Sequence, residues 1–167
     1  MCSSTVDAQA LATAVVTVSD SCARGEREDR SGPAVAEILA AGHFHVISRK
    51  TVPDDSIQIQ NLLIQLAREV QLIVTTGGTG IAARDVTPEA TSAVCERLVD
   101  GIAERMRIEG WKKTPLAALS RGVCGVRGNT LILNLPGSPA GAVESLEAVM
   151  DLIPHALQLL SGHTEHK

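Results

Sequence analysis

Short apolar runs alternate with longer amphipathic stretches along this chain. Residues 12–19 (ATAVVTVS) are β-branched and almost wholly apolar, which predicts a strand covered on both faces. Ser31-Gly32-Pro33 opens a helix that runs to Ala41, with Pro in the first turn and Gly42 as the stop. Residues 43–52 read as a second strand. Asp54, Asp55 and Ser56 are N-cap candidates for the next helix, whose apolar positions Ile59, Leu62, Leu63, Leu66 and Val70 recur at helical spacing. Residues 71–76 (QLIVTT) form a third strand, and Gly77-Gly78-Thr79-Gly80 follows it. Thr87-Pro88-Glu89 opens a helix carrying Ala90, Val94 and Leu98 on one face. A further helical stretch with Ile102 and Met106 runs to about Gly110. Strands at 123–126 and 130–135 flank Gly128-Asn129, a hairpin turn. Residues 136–139 (PGSP) lead to a helix bearing Val143, Leu146 and Met150, and Pro154 starts a last helix to Leu160.

Strands that alternate with helices predict an α/β class, with a mostly parallel sheet covered on both faces and one antiparallel strand from the 123–135 hairpin. No internal repeat or linker interrupts the pattern. A length of 167 residues suits one domain over 1–167, with 1–10 and 162–167 as loose tails. With 44% hydrophobic and 20% charged residues the chain is an ordinary globular one, not a disordered one. Phe44 and Trp111 are the only aromatics and the net charge is −4, which argues against a nucleic-acid-binding face. Cys2, Cys22, Cys95 and Cys124 form no C-x-x-C pair and have no His at zinc spacing, so free thiols in a reducing compartment are expected. No apolar run approaches the ~18 residues of a membrane span, and the first ten residues lack the basic start of a signal peptide. The expected location is the cytoplasm.

Three strands run into loops rich in Gly, Ser, Thr or Asp, and each loop runs into a helix start: VSDS towards SGPAV, VTTGGTG towards TPEA, and LNLPGSPAG. In an open α/β sheet, ligands bind at such strand ends, and helix N-termini there suit phosphate. The glycine loop is neither a Walker loop, for no Lys-Ser or Lys-Thr follows it, nor a G-x-G-x-x-G fingerprint. Its structural alternative is a tight strand-to-helix turn. Two carboxylates draw interest. Asp54 is a candidate ligand-facing acid or a helix N-cap, and Asp85 is a candidate acid or the partner of Arg84 in an ion pair or an Asx-turn. The polar stretch 19–30 reads as a solvated linker, or its residues 22–30 as a lid that orders on binding.

The strings TTGGTGIAARDVTPEAT (75–91), VSDS (18–21), DRSGP (29–33), VPDD (52–55), LSRGVCGVRG (119–128) and LILNLPGSPAG (131–141) together resemble the molybdenum-cofactor biosynthesis family of MogA- and MoaB-type proteins. The resemblance spans residues 12 to 160. It implies a three-layer α/β/α fold, commonly trimeric, and a molybdopterin adenylyltransferase activity that uses ATP and Mg²⁺. It also implies a separate MoeA-type partner that receives the activated pterin. The family's catalytic, metal-binding aspartates fall on Asp54 and Asp85. Ser19, Asp20, Ser21, Thr76, Gly77, Gly78, Thr79, Gly80, Arg84, Ser120, Arg121, Pro136, Gly137 and Ser138 are the implied substrate-binding residues. The alternative reading is a non-catalytic molybdopterin carrier or scaffold of the same fold.

Overall fold

The computed structural model describes residues 10–163, so the tails expected to be loose lie almost wholly outside the described residues. In chain order the elements begin with β1 (Leu11–Val18), α1 (Asp20–Ala23), α2 (Ser31–Ala41), β2 (Phe44–Val52), α3 (Ser56–Leu66) and β3 (Leu72–Thr76). They continue with α4 (Thr87–Val94), β4 (Arg97–Leu98), α5 (Asp100–Trp111), a 3₁₀ turn (Pro115–Leu119), β5 (Cys124–Arg127), β6 (Thr130–Leu135), α6 (Pro139–Glu147) and α7 (Ile153–Leu160). The six strands form one sheet in the order β2-β1-β3-β6-β5-β4. The pairs β1–β2, β1–β3 and β3–β6 are parallel, and β5 lies antiparallel between β6 and β4.

The sheet is the middle layer of three. Successive residues of a strand point to opposite faces, so each central strand supplies both cores. Val15, Leu72, Val74, Leu131 and Leu133 join residues of α2, α5, α6 and α7 in one core, while Ala14, Val16, Ile73 and Ile132 join residues of α3 and α4 in the other. β3 and β6 are buried along their whole length, which is why their sequences show no polar face. The chain leaves β1 to build β2 on one side and returns to build β3 on the other. Strand order therefore reverses at the β1/β3 boundary, and the loops after both strands open onto the same edge of the sheet.

One buried polar residue ties this arrangement together. The side-chain amide of Asn134 donates to Thr75 Oγ1 (3.0 Å) and Thr91 Oγ1 (2.9 Å), and its oxygen accepts from Val123 N (3.2 Å). It thus links β6 to β3, α4 and the approach to β5.

The elements depart from the sequence pattern in four places. Leu98 does not extend the face of α4. That helix ends at Val94, and Arg97–Leu98 pairs with β5, because the β5 edge offers backbone partners on both sides: Glu96 N to Val126 O and Val99 N to Cys124 O. α3 stops at Leu66, and Val70 is buried in the turn beyond it. Met150 lies past the end of α6. The polar stretch after β1 begins as α1, capped by Ser19, whose Oγ accepts from Cys22 N. Cys22, Cys95 and Cys124 are free, and Cys2 lies outside the described residues. No described helix is long and apolar enough to cross a membrane.

Candidate active site

An open crevice of about 530 Å³ lies where the loops after β1, β3 and β6 meet. Of the residues singled out in the sequence, Ser19, Asp54, Thr76, Gly77, Gly78, Asp85, Gly137 and Ser138 line it. Thr17, Cys22, Arg27, Asp29, Ser31 and Pro139 line it too, although sequence reasoning named none of them as ligands. Asp29 and Ser31 belong to the DRSGP string that carries part of the family resemblance, so that string held the signal.

The glycine loop owes its course to two residues in the left-handed region, Gly77 (φ +94°) and Gly78 (φ +67°). A Cβ on Gly77 would stand 2.3 Å from Val18 O, so only glycine lets β3 pass this close to β1. Gly77 N extends the sheet ladder to Leu135 O at 3.1 Å. Thr87 closes the loop from the other end, its Oγ1 donating to Gly77 O (2.9 Å) and its N to Gly78 O (3.1 Å). The amides of Gly78, Thr79 and Gly80 donate to no acceptor among the described residues. Gly78 lines the crevice, and an N–H donor without a protein partner there suits an anion.

The aspartates occupy distinct settings. The cap of α3 is Asp55, whose Oδ1 accepts from Gln58 N at 2.9 Å, so the helix-cap role does not fall to Asp54. Asp54 instead forms a reciprocal pair with Asp20: Asp20 N donates to Asp54 Oδ2 (2.9 Å), and Asp54 N donates to Asp20 Oδ1 (3.0 Å). Partial burial pushes the Asp54 carboxyl above the usual carboxylate range, and the negative charges of Asp20 and Asp85 push the same way. Asp20 is held below that range by the Asp54 amide and the Arg84 guanidinium.

Arg84 pairs with Asp20, its Nη2 lying 2.6 Å from Oδ2, and not with its neighbour Asp85 as the sequence alternative had it. The chain direction explains the change: Asp85 Oδ2 turns back to accept from Ala82 N (3.0 Å), while Arg84 reaches across to the loop after β1. The bond runs back three residues and not forward two, so it is not the Asx-turn of the sequence alternative, and Asp85 lines the crevice.

The remaining predicted residues surround this centre or lie apart from it. The Ser19 and Ser21 hydroxyls touch at 3.2 Å. Asp29 accepts from Thr17 Oγ1 (2.7 Å) and Gly32 N (3.0 Å), so the start of α2 is satisfied by a carboxylate of the chain itself. Ser31 and Thr76 share a hydrogen bond of 2.7 Å beside it. Ser120 and Pro136 line a separate pocket of about 40 Å³ against α5. The guanidinium of Arg121 is engaged with the glycine loop and with Glu89.

Comparison with known proteins bears directly on this crevice. Residues 14–155 match the family model described as "Probable molybdopterin binding domain". The chain belongs to this family. Its members MoaB from Thermus thermophilus and the molybdopterin adenylyltransferase of Helicobacter pylori strain J99 illustrate how close the likeness is. The crystal structure of the first, titled a molybdopterin biosynthesis enzyme, has 54% identity and a TM-score of 0.86, covering 91% of this chain and 97% of that one. The second is 41% identical over 162 residues, 93% of this chain and 90% of its own. The molybdopterin adenylyltransferase of Escherichia coli K12 is 38% identical, over 91% of this chain and 86% of its own. Every loop that lines the crevice lies inside the residues matched by the family model.

Proposed function

We propose that this chain is a molybdopterin adenylyltransferase, moving AMP from ATP to the terminal phosphate of molybdopterin and releasing pyrophosphate, in the biosynthesis of the molybdenum cofactor. The observation that carries the reading is the pairing of opposites in one crevice: the glycine turn at Gly77 and Gly78, where the Gly78 amide has no protein acceptor, beside Asp54 and Asp85, at the reversal of strand order. The like-named relatives of H. pylori and E. coli support the same activity.

A phosphate oxygen of the pterin attacks the α-phosphorus of ATP. As that bond forms, the bond from the α-phosphorus to the bridging oxygen breaks, and its electron pair leaves with pyrophosphate. A phosphate monoester has a second pKa near ~6, so the nucleophile is largely dianionic at neutral pH and needs no strong base. The obstacle is repulsion between two polyanions, and donors already in place are worth most against it. The amides of Gly78, Thr79 and Gly80 are assigned to phosphate oxygens, with Thr76 and Gly77 shaping the loop beneath them. Ser19 lines the crevice on one side, with Asp20 and Ser21 next to it in the chain, and Gly137 and Ser138 line it on another, while Pro136 precedes them in the wall of the smaller pocket. Arg84 is the mobile cation that exchanges Asp20 for a phosphate. Ser120 is assigned to the far end of the pterin.

The donor set fits Mg²⁺. Asp54 and Asp85 offer hard oxygens to one crevice, and the Asp54 carboxyl is raised by its burial and then by the nearby charges of Asp20 and Asp85. Among the described residues no group of three ligating side chains forms a cage, and Mg²⁺ ordinarily takes one or two carboxylates plus substrate phosphates. When bound, the ion would offset phosphate charge as the pyrophosphate departs. The family resemblance further supports one domain over 1–167, a homotrimer, a cytoplasmic location and a separate MoeA-type protein as recipient of the product.

The test is to incubate the protein with molybdopterin, ATP and Mg²⁺ and to look by mass spectrometry for adenylylated pterin and pyrophosphate. Product that needs all three components is the expected result. Pterin binding without product would instead support the carrier reading.

A further inference from the structure

Arg121 reaches the glycine loop from the segment between the 3₁₀ turn and β5. Its Nε donates to Gly80 O at 2.7 Å and its Nη2 to Asp85 O at 2.6 Å. Its Nη1 pairs with Glu89 in the first turn of α4, and its backbone N donates to Thr79 O at 2.8 Å. Gly80 and Asp85 are the two ends of the turn that carries the Asp85 carboxylate. Within that turn the backbone bond is Asp85 N to Ala82 O (3.0 Å), and the carboxylate accepts from Ala82 N. A planar, forked guanidinium can hold two carbonyls at a fixed separation, which an ammonium cannot. All three guanidinium nitrogens are engaged by the protein, and Arg121 is not among the residues that line the crevice.

We infer that Arg121 is a positioning residue: anchored on Glu89, it clamps the 80–85 turn through two carbonyls and so aims Asp85 into the crevice, without touching substrate. The inference rests on the role proposed above for Asp85. It replaces the substrate contact that the family resemblance implied for Arg121.

The experiment uses the full chain with Arg121→Ala, Arg121→Lys, Glu89→Gln, Asp85→Asn and the Arg121→Ala/Asp85→Asn pair. Adenylyl transfer is read as kcat and KM for ATP and for molybdopterin, and amide exchange is followed over residues 78–88. Misplacing a catalytic group by about 1 Å costs roughly 10²-fold, so Arg121→Ala should lose kcat on that scale while both KM values hold. Arg121→Lys should restore little of the loss, added guanidinium ion should restore part of it, and exchange in the turn should quicken. In the Asp85→Asn background, removing Arg121 should cost almost nothing further, because the two residues act as one unit. If Arg121→Ala does not fold, Glu89→Gln loosens only the outer anchor and should show the same fall in kcat at smaller size. A raised molybdopterin KM with kcat intact would make Arg121 a substrate ligand and overturn the inference. So would independent, multiplying losses in the double variant. An inactive Asp85→Asn beside a fully active Arg121→Ala overturns the clamp alone. A fully active Asp85→Asn overturns the role of Asp85, and the clamp's purpose with it.

Discussion

The two loops that face each other across the crevice are anchored differently. The 77–86 loop is held by backbone bonds at both ends, to Leu135 and Thr87, and by the Arg121 fork across its far turn. The 19–30 stretch has backbone bonds within α1 and from Ser19 N to Val52 O, but its ties to the rest of the crevice run through charged side chains. Asp20 bonds Asp54 and Arg84, Asp29 accepts from Gly32 N in the first turn of α2, and Arg24 pairs with Glu26 at the surface. The first loop has a shape set by glycine stereochemistry and carbonyl positions. The second is held by the same kinds of charge that a polyphosphate would compete for. A reaction between two polyanions gains from one rigid cradle and one wall that can exchange its ion pairs for ligand.

The largest effect should come from breaking the rigid side. Gly77→Ala places a Cβ against Val18 O in a conformation that L-residues rarely adopt. Strain and overpacking of this kind cost about 2–3 kcal/mol, to be read from the denaturation midpoint. An unchanged midpoint would mean that the loop is softer than its geometry implies. Asp29→Ala attacks the other wall and removes the carboxylate that accepts from Thr17 Oγ1 and Gly32 N, worth about 1 kcal/mol. Trypsin should then cut faster at Arg24 and Arg27, and equal cleavage would show that this carboxylate does not hold the stretch.

Smaller still is Arg84→Ala. Its side chain is 67% exposed, and exposed pairs add little to stability, so the melting temperature should stay put while the KM for ATP rises. A lower melting temperature with unchanged KM would make the pair a structural strut. The smallest effect has a distinctive sign. Burial and neighbouring carboxylates raise the Asp54 carboxyl, so its ionised form costs stability above that raised pKa, and the cost fades as pH falls through it. Asp54→Asn should therefore be at least as stable as the parent at pH 7, with the gap closing in acid. A parent that is the more stable of the two at pH 7 would contradict the electrostatic picture.

The same contrast governs how much could be read from the chain. Periodicity and strand-end loops foretold the parallel sheet, its two covers and the crevice edge, because buried strands such as β3 and β6 advertise themselves as apolar runs. The glycine loop was readable for a similar reason, since its stereochemical demand is local. What escaped was decided by partners distant in sequence. Arg97–Leu98 became a strand only because β5 offered an edge. Arg84 chose Asp20, 64 residues away, over its neighbour Asp85. Asn134 sits in an apolar run, and its buried bonds to Thr75 and Thr91 leave no periodic trace. Asp54 and Asp55 were equal cap candidates until backbone geometry assigned the cap to Asp55.

The central claim is that this crevice performs adenylyl transfer with Asp85 acting on the reacting phosphates. The most direct measurement sets molybdopterin affinity beside AMP transfer for the wild-type chain and for Asp85→Asn. The account predicts unchanged pterin affinity, an unchanged fold and turnover lower by about 10²-fold or more, the scale on which removing one preorganised electrostatic group acts. Turnover near that of the wild type, or a loss confined to pterin affinity, would contradict it.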